Sequence, residues 1–214
     1  MGTLMLVRHA TTAASASGRN LGQRTDPPLS VAGLELATEV GSTLSAELVE
    51  LPHDATRLLT SPALRCRQTA AAVAAGLGIP DGRIEVEPRL IEIDYGAWDG
   101  LTAAESQARD PEARAAWEAD PYETRCPDGE SGGDVAARSF PVLTEVEGWL
   151  AADRARCAIV VSHNHVIRLR LCAILGWPMR EYRDRLAADP ASYSMVTLGR
   201  DAPPVVRRVN APAA

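Results

Sequence analysis

The 214-residue chain predicts an α/β fold, a mostly parallel central sheet flanked by helices on both faces. Three observations predict it. Short apolar runs alternate with stretches of helical spacing. Two of those runs, Leu4-Met5-Leu6-Val7 and Ala158-Ile159-Val160-Val161, have the length of buried strands. Both end on titratable residues, Arg8-His9 and Ser162-His163, as strands do when their C-terminal ends open on a cleft.

The elements follow in order. A first strand covers about 4–8, and a polar, glycine-containing loop runs from 11 to 28. Ser30 reads as an N-cap, with Val31, Leu34, Ala37, Leu44 and Leu48 near helical spacing as the apolar face. A strand at 57–60 leads to Ser61-Pro62, an N-cap followed by proline at the first helical position, and that helix ends at Gly78. A short strand is expected at 84–86. Residues 88–133 are the least regular part, with helical patterns at 102–109 and 112–118 interrupted by Pro111, Pro121 and Pro127. Such a segment in a compact domain is usually a lid or a binding insertion. A helix over 135–150, kinked at Pro141, precedes the strand at 158–161. A helix from 164 to 175 stops at Gly176, and strands at 193–198 and 205–209 close the chain. With no Pro/Gly/Ser-rich linker, residues 1–214 read as one domain with a pocket-shaping insertion at about 88–133.

Composition narrows the function. Aromatics are only 4% against 46% hydrophobic residues, so Leu, Val, Ile and Ala must build the core. A net charge of −6 argues against non-specific nucleic-acid binding and gives any cluster of arginines local meaning. Cys66, Cys126, Cys157 and Cys172 lack the paired spacing of a zinc or redox motif and read as reduced thiols. No apolar run approaches membrane-spanning length, and residues 4–7 are too short for a signal core. The expectation is a cytoplasmic protein without a membrane or nucleic-acid partner.

Three clusters carry chemistry. Arg8 offers a permanently charged fork suited to phosphate, and His9 beside it can act as a neutral nucleophile. Arg65 falls about one turn into the helix after Ser61-Pro62, where it can reach the same cleft, whereas Arg67 reads as solvated. Arg65 is expected to act through its charge, with little weight in folding. In Leu90-Ile91-Glu92-Ile93-Asp94, two carboxylates alternate in an apolar stretch and share one side if the segment is extended. A carboxyl there, held protonated by burial, suits a general acid; an edge strand with solvent-facing acids is the plainer alternative.

Together, Arg8-His9, the segment from Ser61 to Ala70, Leu90-x-Glu92 with Gly96-x-Trp98-x-Gly100, and Val161-Ser162-His163 resemble the histidine phosphatase superfamily, the phosphoglycerate-mutase-like branch, in order and spacing. Gly18 to Gly22, Pro28-Leu29-Ser30 and Gly129-Glu130-Ser131 extend the match. The resemblance implies a phosphoglycerate-mutase-like fold and a metal- and cofactor-independent phosphomonoesterase. His9 would form a phosphohistidine. Arg8, Arg65 and His163 would surround the phosphoryl group, with His163 charged when phosphate is bound. Glu92 would act as acid and then base, with Asp94 its near competitor and Glu130 next. Thr12, Ser15, Asn20, Gly22 and Asn164 would help bind substrate. The partner is a small phosphorylated metabolite, and a homodimer is compatible with the sequence.

The chain departs from the pattern at three places. Ala10 stands where the family usually has glycine, which ordinary φ alone permits. Ser15 replaces a phosphate-binding asparagine. Asn164 replaces a glycine and is followed by His165, both near the phosphate at a helix start. A mutase and a catalytically weak binding module of the same fold remain alternatives, though the short chain favours hydrolysis.

Overall fold

The structure is a computed structural model that describes residues 1–48 and 53–213. Its elements are β1 (Gly2–Arg8), α1 (Ala13–Ala16), α2 (Val31–Glu47), β2 (Thr56–Thr60), α3 (Leu64–Leu77), β3 (Ile84–Val86), α4 (Ala103–Arg109), α5 (Pro111–Ala119), α6 (Gly132–Ala151), β4 (Cys157–Ser162), α7 (Asn164–Ile174), α8 (Tyr182–Arg185), β5 (Tyr193–Gly199) and β6 (Ala202–Ala211). The sheet has six strands in the order β3-β2-β4-β1-β5-β6. β1 to β4 run parallel, and β5 and β6 add an antiparallel edge. The mostly parallel sheet expected from the sequence is therefore present.

Alternation along β1 builds both halves of the core. Leu4 and Leu6 face one side, with Leu143, Val146 and Leu150 of α6 and Leu169 of α7. Met5 and Val7 face the other, with Ala37, Val40 and Leu44 of α2 and Ala70, Val73 and Ala74 of α3. All four cysteines are buried and free. Among the described residues no helix is long and apolar enough to cross a membrane.

Four local expectations need correction. Ser30 does cap α2, accepting from the Gly33 N–H at 3.0 Å. Val31 and Leu34, however, are 77% and 46% exposed, and the buried side is Gly33, Ala37, Val40, Gly41 and Leu44. The reason is close packing of backbones. A Cβ on Gly76 would sit 2.6 Å from the Gly41 carbonyl carbon, so α2 and α3 meet through small residues that an apolar pattern overlooks.

Ser61 does not cap α3. The N-cap position is Ala63, and Asp26 from the distant loop receives the Leu64 N–H at 2.9 and 3.0 Å instead. Ser61 is drawn to another partner, described below. Finally, residues 91–95 are not extended strand. The Arg138 guanidinium donates to the carbonyls of Arg89, Ile91 and Glu92, while Glu130 accepts the Asp94 N–H, so side chains replace a neighbouring strand. Pro111, read as an interruption, opens α5 at its first turn.

Candidate active site

β1 and β4 are parallel neighbours, and their register pairs Arg8 with Ser162. The next residue of each chain segment is a histidine. His9 and His163 thus emerge side by side at the C-terminal edge, their ring centroids 5.2 Å apart and their planes at 65°. His9 is held by its own successor: Nδ1 lies 2.8 Å from the Ala10 carbonyl oxygen. A carbonyl can only accept, so Nδ1 carries the hydrogen and Nε2 keeps its lone pair. Ala10 has ordinary negative φ, as its presence in place of glycine requires, and its N–H donates to Thr69 Oγ1 at 3.0 Å. Burial lowers the His9 pKa to about 3, with the guanidinium groups of Arg8 and Arg65 adding to the effect. The ring is neutral at physiological pH.

His163 is completely buried. Its Nε2 lies 2.7 Å from Ser61 Oγ and its Nδ1 lies 3.3 Å from Arg65 Nη2. Burial first, and Arg65 next, hold it well below the ordinary imidazole value. The imidazole is therefore neutral at physiological pH; the charged form expected with phosphate would need the anion's field.

Arg65, also fully buried, reaches from the first turn of α3 to the carbonyls of Leu21, Gly22 and Thr25 and to Asp26 Oδ1 at 3.2 Å. It therefore fastens the 21–26 loop to the site, a structural duty the sequence reading did not assign it. Arg8 donates to the Ala188 carbonyl through Nη1, and its Nε is buried without a hydrogen-bond partner among the described residues. Arg67 is exposed, as expected.

Glu92 is buried at 4% exposure and acts electrostatically on Arg8, His9 and His163. Its Oε1 accepts the N–H groups of Ile93 at 2.9 Å and His165 at 3.3 Å. Burial pushes the carboxyl up, but the imidazoles of His165 and His163 and the Ile93 N–H outweigh it, leaving Glu92 below the usual carboxylate range. Burial alone does not keep it protonated, contrary to the sequence expectation. Asp94 is turned away to Gly96 N–H and Arg24, at 2.8 and 3.4 Å. Glu130 is held by Arg138 and Gln23.

The remaining sequence candidates are placed less directly. Thr12 and Ser15 form the capping box of α1, their hydroxyls turned to each other's backbone. Asn20 pairs through its backbone with Gly100 and Leu101, and its Nδ2 is buried without a partner among the described residues. Gly22 presents its carbonyl to Arg65 at 3.0 Å, in a space where a Cβ would meet Ile93 O at 2.7 Å. Asn164 opens α7 half-buried, and His165 follows at 1% exposure. The sequence reading missed Ser61, Thr69 and Asp26 as partners of the site. Ser61 carried a signal, but a serine before proline is indistinguishable from a helix cap until β4 is placed beside it.

The model of the histidine phosphatase superfamily (branch 1) matches residues 4–211. Phosphoserine phosphatase 1 of Hydrogenobacter thermophilus is 32% identical over 197 residues, 90% of this chain and 85% of that protein. Glucosyl-3-phosphoglycerate phosphatase of Mycolicibacterium vanbaalenii is 33% identical, over 82% and 75% of the two chains. The structure of a mycobacterial glucosyl-3-phosphoglycerate phosphatase in complex with VO3 superposes with a TM-score of 0.81 at 28% identity, covering 99% of this chain and 100% of that one.

Proposed function

The chain belongs to the histidine phosphatase superfamily, branch 1, and from that premise we propose that His9, Glu92 and His163 are its catalytic residues and that Arg8 and Arg65 bind the phosphoryl group. The protein is a phosphoric monoester hydrolase of small phosphorylated metabolites. The observation that carries the residue roles is the His9 tautomer: Nδ1 is pinned to the Ala10 carbonyl, and Nε2 is the free lone pair beside His163.

The monoester enters with its phosphoryl oxygens toward Arg8, Arg65 and His163; the two guanidinium charges, and the imidazolium that the anion's field favours at His163, stabilise charge spread over the equatorial oxygens. The incoming negative charge opposes ionisation of Glu92 and raises its pKa, so the carboxyl takes up a proton on substrate binding. His9 Nε2 forms a bond to phosphorus as the ester P–O bond breaks, and Glu92 passes its proton to the departing alcohol oxygen. Glu92, now a carboxylate, takes a proton from the water that attacks the phosphohistidine. The P–N bond breaks, phosphate leaves, and His9 recovers its lone pair. Each step uses side chains of this chain alone.

Thr12, Ser15, Asn20, Gly22 and Asn164 complete the substrate-binding reading, Gly22 by holding Arg65 and Asn20 through its Nδ2, which has no partner among the described residues. Residues 88–133 act as a pocket-shaping insertion of one histidine phosphatase domain; in support, Trp117 of α5 packs 6.3 Å from the His165 ring. A cytoplasmic setting accords with four free, buried thiols.

The test is a panel of phosphomonoesters assayed for free phosphate and free alcohol. The reading expects equal amounts of both from wild type and neither from His9→Ala. Transfer of the phosphoryl group to a second position of the substrate, without release, would contradict hydrolysis.

A further inference from the structure

We propose that His165 is a positioning residue for Glu92, holding one oxygen of its carboxyl so that the other carries the proton to the leaving alcohol. The inference rests on the reading of Glu92 as the acid.

The two carboxyl oxygens are not equivalent. Oε1 accepts from the Ile93 N–H at 2.9 Å and the His165 N–H at 3.3 Å, and His165 Nδ1 lies 3.3 Å from the same oxygen. Oε2 takes no hydrogen bond from the described residues. An acid proton does not settle on an oxygen already faced by donors, so it resides on Oε2.

His165 is held in place by shape. Its ring meets Tyr95 at 5.5 Å and Tyr182 at 5.7 Å, both edge-on, and Trp117 at 6.3 Å. Neither ring nitrogen has a well-aligned hydrogen bond among the described residues. Nδ1 is within ion-pair reach of Glu92 but off the hydrogen-bond line, a contact of the kind that tightens when charge develops. Besides Glu92, the titratable or charged groups facing the ring are Tyr95, Tyr182 of α8, Arg183 and Arg168. Burial lowers the pKa of the ring, and Glu92 pulls it the other way. With its proton on Nδ1, a neutral imidazole is a donor to Oε1.

The proton balance follows. Oε2–H gives its proton to the alcohol oxygen as the P–O bond breaks and the P–N bond to His9 forms. The negative charge left on the carboxylate is shared with Oε1, where the Ile93 N–H and both N–H groups of His165 receive it. Oε2 then accepts a proton from the attacking water.

The experiment compares wild type, His165→Ala, His165→Phe and His165→Gln in the full chain, with Glu92→Gln as control. kcat/KM for ethyl phosphate and for p-nitrophenyl phosphate is measured from pH 5 to 9. Ethyl phosphate needs a proton on its leaving group, and nitrophenyl phosphate needs far less help. Loss of the Oε1 donor should cost roughly 10-fold or more on ethyl phosphate relative to the nitrophenyl ester. It should also move the high-pH limb of kcat, measured alongside because it reports the substrate complex in which Glu92 is protonated, upward, because an anion with fewer donors holds its proton to higher pH. His165→Gln, which keeps an N–H donor, should recover part of the ratio. His165→Phe keeps a ring against Tyr95 and Tyr182, so the comparison stands if the alanine variant does not fold. Equal losses on both substrates with an unmoved limb would make His165 a packing residue and overturn the inference. If Glu92→Gln itself shows no selective loss, the acid assignment fails and this inference with it; if only the His165 variants lack it, the acid assignment survives alone.

Discussion

Arg65 Nη2 stands 3.3 Å from His163 Nδ1, and since a guanidinium only donates, that nitrogen must accept. The neutral His163 then carries its hydrogen on Nε2, donated to Ser61 Oγ. A protonated His163 would face Arg65 with a second positive charge and no lone pair, so acid works against this arrangement. His9 behaves alike, with its pKa lowered to about 3.

Stability should therefore fall as pH drops below about 6.5, the ordinary imidazole value. Below that pH the unfolded chain binds protons that the folded histidines refuse, so the unfolded state gains. Each buried histidine contributes up to about 1.4 kcal/mol per pH unit, and for His9 the loss runs on toward its folded pKa of about 3. Urea midpoints at pH 7.5, 6.5 and 5.5 would show the slope. His9→Asn should be less steep than wild type; identical slopes would mean that His9 is not buried neutral.

Glu92→Gln should lose about 10²–10⁴-fold on an alkyl phosphate and much less on p-nitrophenyl phosphate. Asp94→Asn should change the two substrates alike, because Asp94 Oδ1 is engaged with the Gly96 N–H and Arg24. Glu130 sits in a lattice with Arg138 and Gln23 that holds the 91–94 backbone, so its loss should lower stability first. Selective loss in Asp94→Asn instead would reassign the acid.

Arg65→Ala should weaken vanadate binding and also destabilise the fold. The carbonyls of Leu21 and Gly22 lose their donor, and a buried unsatisfied group costs about 1–3 kcal/mol. Calorimetric vanadate titration together with the thermal midpoint separates the two effects. A variant as stable as wild type would mean that the loop does not depend on Arg65.

Much of this was legible in the sequence, and the failures share a cause. The strands were readable because their apolar runs are covered on both faces, and His9 and His163 because they end those runs. What holds Glu92 was not legible: the 91–95 segment exchanges hydrogen bonds with Arg138 and Glu130, 46 residues from Glu92 and 36 from Asp94 in the chain. Asp26 takes the capping role that local spacing gives Ser61, because β4 brings His163 to Ser61 while the loop brings Asp26 to the start of α3. The α2 face was misread because glycine and alanine, not the larger Val31 and Leu34, meet α3. Local pattern reports burial by size; it does not report which distant side chain will satisfy a backbone group.

In the proposed mechanism His9 Nε2 accepts the phosphoryl group. Rapid acid-sparing quench of the enzyme with a ³²P-labelled monoester, followed by digestion and mass spectrometry, tests it most directly. Expected are an acid-labile, base-stable phosphate on the peptide holding His9 in wild type, its accumulation from p-nitrophenyl phosphate when Glu92→Gln slows water attack, and its absence in His9→Ala, which should not turn over. Normal turnover by His9→Ala, or a phosphate trapped on any other residue, would contradict it.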